Sequence, residues 1–174
     1  MHTIFNENKN KSTEPNIFEY TMKMNIRTAN NGDLHVIVEF NALMAKETEH
    51  KELNHETLQK GVDSVLKDST KGIYYIAEID DIIAGQLLIT YEWSDWRNSN
   101  FWWIQSVYVR KEYRNMGVFT ALFKHIELLA KRNPTVCGIR LYVEKTNDRA
   151  KSTYEKIGLR HAAYDMYEMD FVPV

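Results

Sequence analysis

Residues 105–123, with the sequence QSVYVRKEYRNMGVFTALF, constrain the fold of this chain more than any other stretch. Alternating apolar residues predict a strand that ends near Arg110. A short basic loop then leads into a helix whose apolar face contains Val118, Leu122 and Phe123. The first backbone N–H groups of a helix have no partner inside it, and the helix dipole adds positive potential there. A strand-to-helix turn of this kind can therefore bind an anion such as a phosphate.

The loop before this helix favours binding through the backbone. We expect amides of residues 114–120 to hold the anion, while Gly117 lets the backbone approach a ligand closely. An arginine followed by a single glycine is also common in purely structural strand-to-helix turns. The motif by itself leaves both interpretations open.

The hydrophobic pattern of the remaining chain predicts a mixed α/β order. One helix is predicted to start at Leu34 and a second to run from the Asn54 cap to about residues 69–72. Two more are predicted from Val118 to about residue 132 and from residue 148 to about residue 157. Alternating β-branched and aromatic residues predict strands over residues 24–27, 73–79, 82–92, 101–110, 139–144 and 161–171. Residues 93–100 are predicted to form a polar loop. The pattern contains no internal repeat.

Length and charge limit the organisation of the chain and its partners. At 174 residues and 44% hydrophobic, it has the size of one globular domain. Residues 1–21 are mostly polar and are predicted to be a flexible N-terminal extension, with the folded domain over 22–174. The formal net charge of −2 gives no reason to expect a nucleic-acid partner, because such proteins usually carry a concentrated basic face.

The sequence also indicates a compartment. No apolar run approaches the roughly 20 residues that cross a bilayer, so we expect no membrane insertion. The N-terminal residues lack the apolar core of a secretory signal. Cys137 is the only cysteine, which excludes an internal disulfide, and its apolar neighbourhood favours a small core residue over a nucleophile. A reducing cytoplasm fits these features.

Two motifs carry a resemblance to a known family. The first is Val107-Tyr108-Val109 followed by residues 112–119, with Arg114 and Gly117 three positions apart. The second comprises a strand at residues 141–143, then Asn147, Ala150 and a helix bearing Tyr154 before Gly158-Leu159. In this order and at this separation they resemble the acyl-CoA loop and second signature of the GNAT superfamily of N-acetyltransferases. The resemblance covers residues 24–171. It departs at Phe119, where the family usually has glycine or alanine; this ring would crowd the pyrophosphate unless it turns into the core.

The resemblance implies a fold and a cofactor. The fold is a central twisted, mostly antiparallel sheet, splayed at its middle and flanked by about four helices. The cofactor is acetyl-CoA, whose pantetheine would pair with β-strand groups as an added strand. Tyr154 would protonate the departing thiolate, although a half-buried tyrosine on a helix is the structural alternative. The implied cofactor-binding residues are Val107, Tyr108, Val109, Arg114, Asn115, Met116, Gly117, Val118, Phe119, Thr120, Asn147 and Tyr154.

The acceptor side carries no family motif. Glu92 closes an apolar strand and is the candidate general base, while Glu47 and Glu49 fall where the family has a segment between helices that covers the acceptor. Most carboxylates are only solvated surface groups, which is the alternative for all three. The spacing of Trp103 and Gln105 places them on one sheet face. The four tryptophans at 93–103 are compatible with a core and exposed edge, an aromatic acceptor pocket or a subunit interface.

These features together predict an enzyme. We expect acetyl transfer from acetyl-CoA to a primary amine, most simply of a small molecule, by direct transfer in a ternary complex. A protein amino group as acceptor and a non-catalytic acyl-CoA-binding regulatory module are the alternatives. We also expect a possible homodimer, and no metal, because the six histidines and one cysteine show no metal-ligand spacing.

Overall fold

A computed structural model describes residues 23–172, whose centre is one five-stranded sheet. Neighbouring strands follow one another in the sheet in chain order. The first four pair antiparallel and the fifth pairs parallel to the fourth. This confirms the predicted mixed α/β fold with a mostly antiparallel sheet. The strands are β1 (Met24–Thr28), β2 (Ile73–Ile79), β3 (Ile82–Ser94), β4 (Ser99–Val109) and β5 (Val136–Leu141).

Helices cover both faces of the sheet. They begin where the sequence predicts them. Asparagine side chains satisfy backbone N–H groups at the starts of two of them, where Asn54 accepts from Thr57 and Asn147 from Ala150. No helix among residues 23–172 is long and apolar enough to cross a membrane. The helices are α1 (Leu34–Thr48), α2 (His55–Lys67), α3 (Val118–Arg132) and α4 (Asp148–Lys156), with short 3-10 turns at Asn31–Asp33 and Lys111–Tyr113.

Alternation along the strands separates two hydrophobic cores. Tyr75 and Ala77 of β2 face α3 and pack with its Leu122 and Ile126. The intervening residues of β2 face α1 and α2. The core on that second face consists of Ile37, Val38, Val62, Tyr74, Ile76 and Leu88. The α3 face and the α1–α2 face are the names used below for these two sides of the sheet.

A bulge in β4 changes which side chains face each helix layer. Leu88 of β3 pairs with Gln105, but Gln86 pairs with Tyr108, so β4 contains one extra residue between them. Ser106 takes up this extra residue at a φ of 48°. Before the bulge the odd-numbered residues of β4 face α1 and α2, whereas after it Val107 and Val109 pack against the α3 core.

The sheet splays beyond the bulge. The pairing of β4 with β5 runs from Asn100 to Ile104 and ends where Ile104 meets Leu141. The rest of β4 continues to Val109 with β3 as its partner on the other side. The backbone of β4 after Ile104 therefore faces an opening, as the resemblance implied.

Three sequence-based boundaries are wrong. Residues 93–100 are not a loop, because Trp93 and Ser94 pair with Asn100 and Ser99 across a turn at residues 95–98. Their side chains are polar because this end of the β3–β4 hairpin projects into solvent. The fifth strand lies at Val136–Leu141, three residues before its predicted start and end, because parallel pairing with β4 sets its limits.

The last predicted strand is the third error. Residues 161–171 belong to no strand, and every side chain among them is exposed. Alternation predicts which residues would share a face, yet a strand exists only through hydrogen bonds to a neighbour, and this segment has none within the sheet. The predicted N-terminal extension, residues 1–21, lies outside the described residues, so the predicted division at residue 22 stays a prediction.

Candidate functional site

The first turn of α3 is an open helix tip. Gly117 precedes the helix at a φ of 79°, and no side chain caps the helix. The first helical hydrogen bond runs from the amide of Ala121 to the carbonyl of Gly117, at 2.9 Å. A side chain on Gly117 would meet nothing within 4 Å. The amides of Val118–Thr120 thus face open space with the positive end of the helix dipole behind them.

Arg114, at the start of this loop, is directed toward β4 and α1. Its Nε donates to the carbonyl of Val109 at 2.9 Å, and a terminal nitrogen donates to Glu47 at 2.8 Å. Tyr108 donates its hydroxyl to the same carboxylate at 3.1 Å, and the Lys111 ammonium lies 3.5 Å away. Burial acts to raise the pKa of Glu47, but the hydrogen bonds from Arg114 and Tyr108 outweigh it, so the pKa is lowered. Glu47 itself lies in the last turn of α1, not between helices.

The helix tip is joined to α4 by a side-chain contact that the sequence did not indicate. Asn115 has a φ of 68°, and its side-chain oxygen accepts a 2.5 Å hydrogen bond from Arg149. Asn147 begins α4, where its oxygen accepts from the amide of Ala150 at 3.0 Å. The side-chain oxygen of Asn147 is thereby used as a helix cap. Arg149 could be found only from the packing of α4 against the loop.

Phe119 and Tyr154 meet between α3 and α4. Their rings are 5.5 Å apart in an edge-on arrangement, and Phe119 also lies 6.3 Å from Phe123. The Phe119 ring therefore packs against the core and does not crowd the helix tip, as the helical spacing had suggested. Burial raises the pKa of Tyr154, so its phenol keeps its proton at neutral pH.

The opposite face of the splay carries the predicted acceptor residues. Gln105 donates to the Thr90 hydroxyl at 2.7 Å, and the indole N–H of Trp103 donates to Glu92. Trp103 and Gln105 share the α1–α2 face of the sheet, as predicted. The Tyr142 ring lies 6.1 Å from Trp103 at the end of β5. Trp102 packs on the α3 core, while Trp93 and Trp96 are exposed.

Glu92 has a second partner that sequence reasoning missed. Arg140 of β5 donates to the other oxygen of Glu92 at 2.6 Å, across 48 positions of sequence. Its guanidinium carbon also lies 3.7 Å from the centre of the Phe101 ring. The carboxylate is therefore ion-paired, which a solitary acid at a strand end did not suggest.

The connection after α1 lies close to this face. Burial raises the pKa of Tyr142, and the negative charge of Glu49 adds to that effect. Glu49 itself forms a 3.0 Å ion pair with Lys51, in which both side chains are about half exposed. Tyr142 thus links Trp103 to the segment after α1, and this part of the α1–α2 face is called the cleft below.

Comparison with known proteins identifies this arrangement. The model of the acetyltransferase (GNAT) family matches residues 38–159, well over half of the chain. The chain belongs to the GNAT acetyltransferase family. It is therefore an acyltransferase that takes the acetyl group from acetyl-CoA. A search among curated proteins found no match.

Solved structures agree with the family. A possible acetyltransferase from Clostridium difficile 630 is 47% identical, with a TM-score of 0.80 over 86% of this chain and 99% of that one. A predicted acetyltransferase with acetyl-CoA from Clostridium acetobutylicum is 20% identical, with a TM-score of 0.69 over 85% of this chain and 96% of that one. An aminoglycoside N-acetyltransferase in complex with CoA is 12% identical, with a TM-score of 0.70 over 88% and 99%. The last two share the fold.

The described residues of this GNAT acetyltransferase fit acetyl-CoA. The helix tip of α3 offers backbone donors with open space before them, which suits a diphosphate. The backbone of β4 between Ile104 and Val109 faces the splay, which suits the amides of pantetheine. Among residues 23–172, no group of three histidine, cysteine or acidic side chains could hold a metal ion.

Proposed function

We propose that this GNAT acetyltransferase transfers the acetyl group directly to a primary amine of a small molecule, with both substrates bound together. The observation that carries the proposal is the arrangement of the splay. The open tip of α3 and half-buried Tyr154 lie on one side, and a polar, aromatic cleft with Trp103 and Gln105 lies on the other. Two ligands can therefore meet at the splay from opposite faces of the sheet.

The proposed cofactor contacts are chiefly backbone groups. Val107, Tyr108 and Val109 offer strand N–H and carbonyl groups to pantetheine, and amides from Asn115 to Thr120, including those of Met116 and Phe119, hold the diphosphate. We propose that Arg114 acts by fixing this loop, because its side chain already bonds Val109 and Glu47. Asn147 supports α4 as a cap, with its amide nitrogen directed to the ligand.

Tyr154 is proposed as the proton donor to the leaving thiolate. Acetyl-CoA supplies a thioester, whose carbonyl carbon an amine attacks. Burial raises the pKa of Tyr154, so the phenol is protonated at neutral pH and carries a proton that the basic sulfur can take as the thiolate departs. The amide of Val107, just beyond the bulge, is the proposed hydrogen-bond donor to the acetyl oxygen.

Deprotonation of the amine is assigned to Glu92 acting through water. An amine attacks only when neutral, so its ammonium proton must leave first. Glu92 pairs with Phe101, four residues before Gln105 along β4, and a strand rises about 3.3 Å per residue. Glu92 is therefore too far along the strands from Gln105 to take the proton directly, and water must relay the proton from the amine to Glu92. Glu49, Trp103 and Gln105 are proposed to border the acceptor, and Glu47 to act through its hold on α1 and the cofactor loop.

A cofactor titration of two glycine variants tests the proposal. Gly117→Glu places bulk and negative charge at the helix tip, so we expect thermal stabilisation by CoA to disappear. In the wild type, CoA at about a hundred times its dissociation constant should add about 2.7 kcal/mol. Gly158→Glu is the matched control, since Gly158 also has a positive φ of 94° and open space around it. Equal CoA affinity in both variants would place the ligand elsewhere.

A screen of amines with acetyl-CoA, read as released thiol, tests the acceptor class. Turnover of small primary amines is the expected result. Turnover of peptide amino groups alone would point to a protein acceptor, and CoA binding without any turnover would indicate a non-catalytic regulatory module. Location in the cytoplasm stays a prediction.

A homodimer belongs to the same proposal. Support comes from large apolar side chains that face solvent, including Trp96 at 87% and Tyr167 at 92% exposure. Light scattering over a concentration series should give twice the monomer mass. A monomer at every concentration would contradict this part of the proposal and leave the chemistry untouched.

A further inference from the structure

The cleft on the α1–α2 face contains an arginine in a fixed orientation. Arg140 of β5 bonds Glu92 at 2.6 Å, and its guanidinium lies 3.7 Å from the centre of the Phe101 ring. Gly138 leaves room for this ring, because a side chain there would meet Phe101 at 2.7 Å. The Phe101 ring and the Glu92 carboxylate together restrain the guanidinium of Arg140. The side chain of Arg140 has therefore already lost conformational entropy before any ligand binds.

The charges in the cleft argue against an acceptor that is only cationic. Both oxygens of Glu92 already accept hydrogen bonds, one from Arg140 and one from Trp103. Arg97 adds a second cation, 5.1 Å from the same Phe101 ring. The Glu92 carboxylate is therefore compensated by arginine, whereas the negative charges of Glu49 and Glu168 lie toward Tyr142.

Arg140 retains hydrogen-bonding capacity. A guanidinium has five N–H donors, and one terminal nitrogen serves Glu92. Among residues 23–172 the other nitrogens of Arg140 have no hydrogen-bond partner. The side chain is 36% exposed, so a ligand in the cleft can reach it. Its planar fork matches a carboxylate, with which it can form two parallel hydrogen bonds.

The position of Arg140 relative to the splay sets what it can contact. Arg140 pairs with Trp103, and the next pair, Ile104 with Leu141, is the last before the sheet opens. At about 3.3 Å per residue, the guanidinium stands one to two residues from the opening. A small acceptor with its amine at the splay can thus place a second group on Arg140.

We propose that the acceptor carries a carboxylate beside its amine, as an amino acid does, and that Arg140 binds this carboxylate and determines acceptor specificity. The inference rests on the proposed function, because it needs an acceptor in this cleft. Phe101 and Glu92 hold the guanidinium in place, and Trp103 with Tyr142 forms the aromatic wall. When the acceptor carboxylate binds Arg140, it partly replaces Glu92 as the hydrogen-bond partner of this arginine.

Pairs of amines that differ only in the acid group provide the test. Phenylalanine is compared with phenethylamine, lysine with 1,5-diaminopentane, and β-alanine with ethylamine, each with acetyl-CoA. We expect kcat/KM to be about tenfold or more higher for the acid-bearing member of at least one pair, the value of a charged hydrogen bond. Arg140→Gln should bring that ratio close to one, and Arg140→Lys should keep part of it. Arg132→Gln, an exposed arginine at the end of α3, is the control and should keep the whole ratio.

The outcomes separate this inference from the proposed function. Turnover with a ratio near one in the wild type, or a ratio that Arg140→Gln leaves intact, overturns the role of Arg140 and leaves acetyl transfer standing. If no amine turns over, the thermal shift of the CoA complex is measured with both members of each pair. Equal shifts for the acid-bearing amine and its partner overturn the inference. Failure to bind CoA at all would remove the proposed function first. Far-UV circular dichroism of each variant checks folding.

Discussion

The Glu47 carboxylate in the last turn of α1 accepts a 2.8 Å hydrogen bond from Arg114, at the start of the loop that leads into α3. The two residues are 67 positions apart. Because α1 borders the acceptor cleft and the loop leads to the helix tip, this ion pair joins the two sides of the site. The side chains are 24% and 31% exposed, so solvent screens the pair only in part.

We expect the pair to couple stability with cofactor binding. Glu47→Gln should destabilise the fold by about 1 kcal/mol, because Arg114 loses a charged hydrogen bond at a partly exposed site. Arg114→Gln should have a similar effect. The double variant should lose less free energy of unfolding than the sum of the two single losses, since each change breaks the same contact. Urea unfolding measures this cycle, and CoA titration of the same variants measures the coupling to the helix tip.

Glu56→Gln is the control for that cycle. Glu56 pairs with Lys60 one turn away on α2, and both side chains are at least three-quarters exposed, so we expect a change below about 0.5 kcal/mol. Strict additivity of Glu47→Gln and Arg114→Gln would show that the ion pair contributes nothing of its own.

Asp33 should make the fold sensitive to acid. Arg27 donates to both oxygens of Asp33 at 2.7 and 2.9 Å, and this hydrogen bonding lowers the pKa of Asp33 although burial opposes it. The charged form therefore stabilises the fold above the ordinary pKa of 3.8, and this stabilisation is lost as the pH falls through the lower folded pKa. We expect Asp33→Asn to destabilise by about 2 kcal/mol at pH 7 and by progressively less as the pH falls below 3.8 toward the folded pKa. Unfolding at several pH values measures the difference.

Asp63→Asn provides the comparison, because Asp63 forms an exposed pair with Lys67 on α2. Its effect should stay below about 0.5 kcal/mol at each pH. A destabilisation by Asp33→Asn that persists undiminished in acid would contradict the assignment, since it would not depend on the charge of Asp33.

Tyr154→Phe should separate chemistry from binding. Removing the hydroxyl should lower kcat by about a hundredfold, the usual contribution of a placed general acid, while the dissociation constant for CoA stays the same. Because burial raises the pKa of Tyr154, the wild type should lose no activity through this group below its ordinary value of pH 10. A parallel loss of CoA affinity would make Tyr154 a packing residue for Phe119.

The buried amide of Gln86 should stabilise the region of the bulge. Gln86 is inaccessible to solvent and donates to Asn41 at 2.8 Å and to the carbonyl of Ser106 at 3.4 Å. Gln86→Leu leaves the Asn41 oxygen without this donor, so we expect a loss of about 1 to 3 kcal/mol in urea unfolding. Gln105→Leu, on a half-buried residue of the adjacent strand, should cost less because water can replace its contact to Thr90. Equal losses would show that the Gln86 contacts add no stability.

Much of the fold and one half of the site could be read from local pattern. Helical spacing located the starts of α1, α2 and α3, with an asparagine cap at α2, and the stretch before Val118 indicated an anion site at a helix tip. These features depend on residues close together in the chain, where backbone geometry links spacing directly to shape. The GNAT membership follows from the same residues.

Tertiary structure alone decided the other half. The bulge at Ser106 moves Val107 and Val109 to the α3 face, and no period in the sequence marks it. The contacts of Glu92 with Arg140 and of Glu47 with Arg114 join residues far apart in the chain. The run at 161–171 alternates like a strand but pairs with no strand of the sheet. Sequence period reports which side chains share a face; partners are chosen only when the chain packs, because hydrogen bonds and ion pairs need two groups brought together in space.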